Sequence, residues 1–294
     1  MRRRRGSEAL TALAFLAPAL LCLAAFRVYP ALRAVWDSFH SSGLLTNGQK
    51  HWVGLDNYSF LFHSPRFGAV IGATGKLVGI TVVFQTVLAL ALALALSGRV
   101  WGAWAWRTLI VLPIAVPIAV SSVVWGVAFR PDGPINGLLG IVGIAQQPFL
   151  GSASQAPLAI VAILSWVGVG YWMIFLVAGV QDIPRELNEA AAVDGAGRLR
   201  TFWNITLPQL RRPLAFVVVA NTVANVLVFA PTQILTKGGP EDSTRVVMYD
   251  IYTRAFTDGD TATASAEIVL MLIVLLTLVA VQLRLLQGRN EERS

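Results

Sequence analysis

Cysteine is all but absent from this sequence. Cys22 is the single thiol and lies inside the first apolar run, so no intrachain disulfide and no thiolate metal cage can form, and the redox compartment is left unread. Histidine is nearly as scarce: His40, His51 and His63 fall in one predicted loop without the spacing of a ligand set, and no metal site is expected. Charge is short as well. Only 13% of the residues are Asp, Glu, Lys or Arg, against about a quarter in an ordinary soluble domain. With 55% apolar residues and a mean hydropathy of +0.64, that deficit is too large for a water-facing surface. The chain belongs in lipid. Its net charge of +7 would suit nucleic acid only with a basic face on a soluble fold. Here the arginines gather at the ends of apolar runs, where they set membrane orientation, and no nucleic-acid partner is expected.

Catalytic signatures are missing too. The nearest string to a phosphate-cradling loop is Gly72-Ala-Thr-Gly75-Lys76-Leu77, with the wrong glycine spacing and no hydroxyl after the lysine. There is no His-Glu-x-x-His, no Gly-x-Ser-x-Gly and no intramembrane cluster of histidines and carboxylates. The chain is expected to perform no chemistry itself, so energy for any work must arrive through a partner.

What is present is a set of six stretches that approach the roughly 20 apolar residues of a membrane-crossing helix. They lie near 9–29, 77–97, 108–129, 157–180, 214–235 and 265–286. The expected fold is an all-α integral membrane protein of six transmembrane helices, a single domain over 1–294. Arg2–Arg5 ahead of the first run also has the form of a secretory signal. However, Leu21 rather than a small residue precedes Cys22, and Ala9–Val28 is long for a signal core, so an uncleaved helix is expected. With the N-terminus in the cytoplasm, the inner segments hold fourteen Lys and Arg and the outer ones eight. That bias puts both termini inside. Lys76, at the start of the second span, snorkels to the outer interface.

The segment 181–213 is the most informative. Pro184 can open a short helix, since its missing N–H is unsatisfied there anyway. Glu186 and Glu189 suit the first turns, and Ala190–Ala192 add strong helix propensity. Asp194-Gly195 ends it, because glycine permits the left-handed conformation of a C-cap. A second helix is expected from near Arg198 to Ile205, stopped by Pro208. Two short amphipathic helices cannot bury their faces alone. Periodicity leaves open whether they lie on lipid headgroups or dock a cytoplasmic partner.

Glu189-Ala190-Ala191, Asp194-Gly195-Ala196, Phe202, Ile205 and Leu207-Pro208, in this order before the fifth span, resemble the EAA loop of ABC importer permeases. Further segments narrow the resemblance to the maltose/glycerol-phosphate branch of sugar importers. They are Gly54-Leu55-Asp56-Asn57-Tyr58, Arg107-Thr108, Leu112-Pro113, Gly238-Gly239-Pro240, Ser243-Thr244, Ile251-Tyr252 and Ala255-Phe256. The resemblance implies the type I importer permease arrangement, in the compact six-span member of a heterodimeric pair. It implies as partners a second permease subunit, two ATPase subunits that bind ATP and Mg, and an extracytoplasmic solute-binding protein. No cofactor is implied on this chain. Glu189 would contact the ATPase, and Gly195 would permit the sharp turn.

Polar residues within spans tend to face a bundle interior or a wet cavity. Asn221 and Asn225, with Thr232 and Gln233, recur along the fifth span; Gln85 lies in the second, Ser121, Ser122 and Trp125 in the third, and Trp166, Tyr171 and Trp172 in the fourth. Asn221, Asn225, Gln85, Trp125, Tyr171 and Trp172 are the candidate solute-path residues, amides for hydroxyls and aromatic planes for sugar rings. The same residues also suit interhelical hydrogen bonding or interfacial belts. Pro113, Pro117 and Pro231 are expected to kink their helices. Two rival functions stay open: an ABC importer of amino acids, phosphate or another anion, and an ion-coupled transporter, for which Glu267 is the one candidate carboxylate.

Overall fold

The computed structural model describes residues 14–41, 49–98 and 101–287, so the start expected for the first span, near residue 9, lies outside the described residues. The principal helices are α1 (Ala14–Asp37), α2 (Asp56–His63), α3 (Pro65–Ser97), α4 (Ala103–Ala115), α5 (Ile118–Ala128), α6 (Ala156–Gln181), α7 (Arg185–Val193), α8 (Arg211–Val226) and α9 (Thr261–Gln287). Among the described residues the only strand-like pairing is an isolated bridge, His40 to Trp52. The fold is all-helical. Four helices, α1, α3, α6 and α9, are long and apolar enough to cross a membrane, and the bent pair α4–α5 makes a fifth if counted as one span.

The described residues fall into two compact units. One runs to Ser64 and includes Ile251–Leu272; the other is Pro65–Asp250 with Ile273 onward. In the first unit, α1 has none of its apolar window buried. Arg254 and Glu267, both buried, form an ion pair there at 3.2 Å.

The second unit is organised by α6, of whose apolar window 61% is buried, against 33% for α3. Ala89 and Ala93, one turn apart on α3 and fully buried, let the α6 backbone come close. Small residues at that spacing let membrane helices pack by dispersion where lipid offers no hydrophobic drive. Val169, Trp172, Met173 and Leu176 of α6 and Val217 of α8 close the cluster. Gly170 is the tightest point. A Cβ placed there would stand 2.1 Å from the Ile110 carbonyl oxygen of α4. Arg107 of α4 donates to the Leu96 carbonyl at the end of α3, a cation where the helix leaves free acceptors.

Four spans differ from the pattern of apolar runs. α1 continues to Asp37 rather than ending near 29. α3 begins at Pro65 rather than near 77, so Lys76 is exposed within the helix and not at its start. The third span, expected over 108–129, is two helices bent by 98°. Pro117 is the cause. The residue before a proline is pushed out of the α region, and Val116 is extended, with ψ 122°. In the fifth span, expected over 214–235, α8 stops at Val226 and a π-turn follows over Thr232–Thr236. Pro231 has no N–H for the Leu227 carbonyl, which removes a rung of the ladder there.

Candidate functional site

The segment between α6 and α8 is the candidate site. α7 starts after Pro184 and ends in a Schellman turn: the Gly195 N–H donates to the Ala192 carbonyl at 3.1 Å, and the Ala196 N–H to Ala191 at 2.9 Å. Gly195 adopts φ +68°, the left-handed conformation that glycine takes without strain. The chain then runs helically from Arg198 through Gln209, with a π-turn over Phe202–Thr206. Pro208 does not stop this helix, contrary to expectation. It sits inside the turn Leu207–Gln209, and the widened turn before it relieves the clash that a regular helix would meet.

Burial splits the motif into two faces. Ala191 is buried, as are Ile183 and Leu210 on either side, and these pin the helix pair to the second unit. Glu189, Ala190, Asp194 and Gly195 are exposed, while Ala196, Phe202, Ile205, Leu207 and Pro208 are half-buried. Three apolar side chains that the sequence reading did not single out, Val193, Leu199 and Trp203, stand at least 60% exposed on the same two turns. Their signal was available, as large apolar residues in a charged loop. Beneath the pair lies a cleft of about 330 Å³ between Leu94 at the end of α3 and Asn188, Ala192, Arg198 and Phe202. An exposed apolar patch rimmed by charge marks a contact surface, for protein or for membrane.

The candidate path residues separate into paired and unspent groups. The Trp172 indole N–H donates to Gln85 Oε1 at 3.0 Å, both buried, and Gln85 lies against Gly168. These two hold α3 to α6. Gln85→Leu is expected to leave that indole without its partner and to cost about 1 kcal/mol, the scale of a hydrogen bond between membrane helices; thermal unfolding in detergent reads it. Asn225 donates to Asn221 Oδ1 at 2.6 Å and to the Asn221 carbonyl at 2.9 Å. Asn221 is fully buried and its Nδ2 finds no partner within the described residues; the same is true of Ser121 Oγ and Thr232 Oγ1. Because α8 ends at Val226, Thr232 does not continue the face of Asn221 and Asn225 as helical spacing predicts. Trp125 meets Trp166 edge-on at 5.7 Å, and Tyr171 meets Trp172 at 4.8 Å.

The sequence reading also missed Asp250. It is fully buried and accepts Arg66 Nε at 2.7 Å and Arg245 Nη1 at 3.2 Å. A carboxylate between Tyr249 and Ile251, in an apolar stretch, was the available signal.

Residues 85–292 match the family described as binding-protein-dependent transport system inner membrane component. Among curated proteins, the chain is 33% identical to the probable ABC transporter permease protein YurN of Bacillus subtilis, over 95% of this chain and 96% of that one. It is 34% identical to the sn-glycerol-3-phosphate transport system permease protein UgpA of Escherichia coli, over 93% of this chain and 92% of that one. Among solved structures, its fold matches a chain of a bacterial ABC transporter involved in import of the acidic polysaccharide alginate. That match has a TM-score of 0.86 at 21% identity and covers 99% of this chain and 100% of that one. The knob between α6 and α8 thus sits on a chain that belongs to the binding-protein-dependent transport system inner membrane components, the permeases of ABC importers.

Proposed function

We propose that this chain is one of two permease subunits of an ATP-driven importer for a sugar or sugar-like solute. The solute is delivered by an external binding protein and passed inward by alternating access. The observation that carries the reading is the ordered knob of α7 and the helix after it, with Val193, Leu199 and Trp203 displayed around Gly195 on a family permease. The knob docks an ATPase subunit, which holds the ATP and its magnesium ion; closure of the ATPase pair is transmitted through Ala191 and Leu210 into the bundle. Glu189, at the rim, makes the polar contact. The cargo class rests on the relatives, whose names carry sn-glycerol 3-phosphate and alginate. Asn221, with an unspent buried amide, and Asn225 line the path; Tyr171 and Trp125 flank it. Six spans form one membrane domain in this reading, the bent α4–α5 pair and α8 with its broken continuation being the third and fifth. Both termini are cytoplasmic. An ion-coupled mechanism is disfavoured because Arg254 is paired with Glu267.

The test is reconstitution in proteoliposomes of this chain with its second permease and ATPase, offered labelled sn-glycerol 3-phosphate, maltose and an alginate oligosaccharide. Uptake of one of these should require both ATP on the ATPase side and the binding protein on the other. Uptake by this chain alone, driven by an ion gradient, would overturn the reading.

A further inference from the structure

The cleft beneath the knob is separate from the knob's contact patch. Asn188 and Ala192 of α7 stand one turn apart, as do Arg198 and Phe202 of the helix that follows, and all four line the cleft. Val193, Leu199 and Trp203 each come one residue after a lining residue, which is about 100° around a helix, and none of the three lines it. The opposite wall is Leu94, near the end of α3. The cleft thus lies between knob and bundle, wholly within the second unit.

Its chemistry is one-sided. Arg198 is the single charged residue of the lining, and no carboxylate faces it. The Arg198 guanidinium makes no ion pair and no hydrogen bond among the described residues, and neither the Asn188 amide nor the Thr206 hydroxyl has a partner there. Thr201, by contrast, spends its hydroxyl proton on the Gly197 carbonyl at 3.2 Å. A planar guanidinium with unspent N–H groups matches phosphate oxygens in a fork. The amide and hydroxyl beside it add donors without adding charge. The remaining lining is apolar: Leu94, two alanines and the Phe202 ring. An inorganic ion gains nothing from that side, whereas the carbon skeleton of an ester is buried against it. The cleft measures about 330 Å³, against about 30 Å³ for one water in the liquid, so a phosphate and a small organic group both have room.

We infer that this cleft binds a phosphate ester, its phosphate held by Arg198, Asn188 and Thr206 and its organic part against Leu94 and Phe202. A dissolved ester and a lipid headgroup present the same chemistry. Bound there, the ester bridges the knob and the end of α3, the joint through which ATPase closure passes in the proposed function. That consequence, unlike the binding itself, rests on that reading.

Photolabelling of the assembled transporter in nanodiscs tests this with two probes: azidophenyl phosphate in solution, and phosphatidylglycerol carrying an aryl azide on its headgroup. Label recovered at Leu94 or Phe202 from the soluble probe assigns the site to a dissolved ester; label there from the lipid probe alone assigns it to a headgroup. In either case Arg198→Ala should lower that label about tenfold, the scale of a hydrogen bond to a charged group. Arg200→Ala removes the same charge outside the lining and should change it by less than about twofold. Azidophenol, the parent without its phosphate, should label the cleft about tenfold less than the soluble ester. No label at Leu94 or Phe202 from either probe would overturn the inference, as would equal losses in the two arginine variants or equal labelling by azidophenol. Both arginines are exposed on a helix that alanine suits, so misfolding does not stand in for lost binding. ATP turnover of the same preparations keeps the two failures apart. Absent label with ordinary substrate-stimulated turnover removes the site and leaves the proposed function, whereas uptake by this chain alone leaves the label and removes its place in coupling.

Discussion

Gly195→Val should lower substrate-stimulated ATP turnover of the reconstituted transporter at least tenfold, with normal amounts of folded chain in the membrane. Nothing lies within 4 Å of where a Cβ would stand at this position, so space is not the obstacle. The obstacle is conformation. At φ +68° a β-branched residue sits in a region costing about 1–3 kcal/mol. The turn relieves that strain by opening, and the hydrogen bonds from Gly195 to Ala192 and from Ala196 to Ala191 are lost with it. Val193 and Leu199 lie on either side of the turn, so opening it separates the two halves of the docking surface. A coupling free energy of about 1–3 kcal/mol corresponds to about 5–150-fold in the linked equilibrium, which is the scale expected here. Asn tolerates the left-handed region far better, so Gly195→Asn should keep most of the turnover. Equal loss in both variants would mean that the backbone conformation is not what the knob requires. Full turnover in the valine variant would remove the knob from the coupling path.

Much of this site was legible in the sequence because its determinants are local. A proline that can open a helix, acids in its first turn, an alanine run and an Asp-Gly stop specify α7 within about ten residues, whatever surrounds them. The helix and its Schellman end follow. Pro208 was misjudged because the rule that proline stops a helix assumes a regular turn before it, and the π-turn over Phe202–Thr206 changes that geometry. Span positions could be read from hydropathy, since hydropathy integrates over some twenty residues. Helix breaks could not be placed so closely. Pro113 and Pro117 both signalled a kink, yet nothing local sets the angle at 98° or chooses Pro117 over Pro113 as its site. Pairing between distant residues was out of reach altogether. Gln85 and Trp172 were both chosen for a solute path on residue type alone; only the packing of α3 on α6 shows that they bond to each other. Asn221 is the converse case, since its unspent Nδ2 cannot be inferred from the spacing of the two asparagines.

Asp250→Asn should destabilise the chain by about 3 kcal/mol, a fall of roughly 5–10 °C in the unfolding midpoint in detergent. The carboxylate is fully buried and bridges Arg66 and Arg245, the second of which also pairs with Asp242. Removing one partner of a buried pair typically costs about 3–5 kcal/mol, because a charge is left without compensation. The lower end applies here, since the Arg66 and Arg245 side chains are 34% and 18% exposed and can turn partly to water. The network ties a loop to the bundle: the Val247 N–H donates to Thr74 Oγ1 of α3 at 2.9 Å, and Val246 and Tyr249 pack among Leu77, Ile160 and Leu164. Burial pulls the Arg245 pKa down, but hydrogen bonds and charge from Asp242 and Asp250 outweigh it, leaving the group above the ordinary arginine value. A raised pKa on a base contributes stability that is fully present below its unfolded value and lost only as pH rises through the folded one. Arg245 therefore confers no pH dependence over the working range, and acidification to pH 6 should leave its share of the stability untouched. The internal control is Asp242→Asn. That residue shares Arg245 at 2.6 Å but is 46% exposed, and such a pair is worth about 1 kcal/mol or less. Equal falls for the two variants would show that burial of Asp250 is not what makes the network strong.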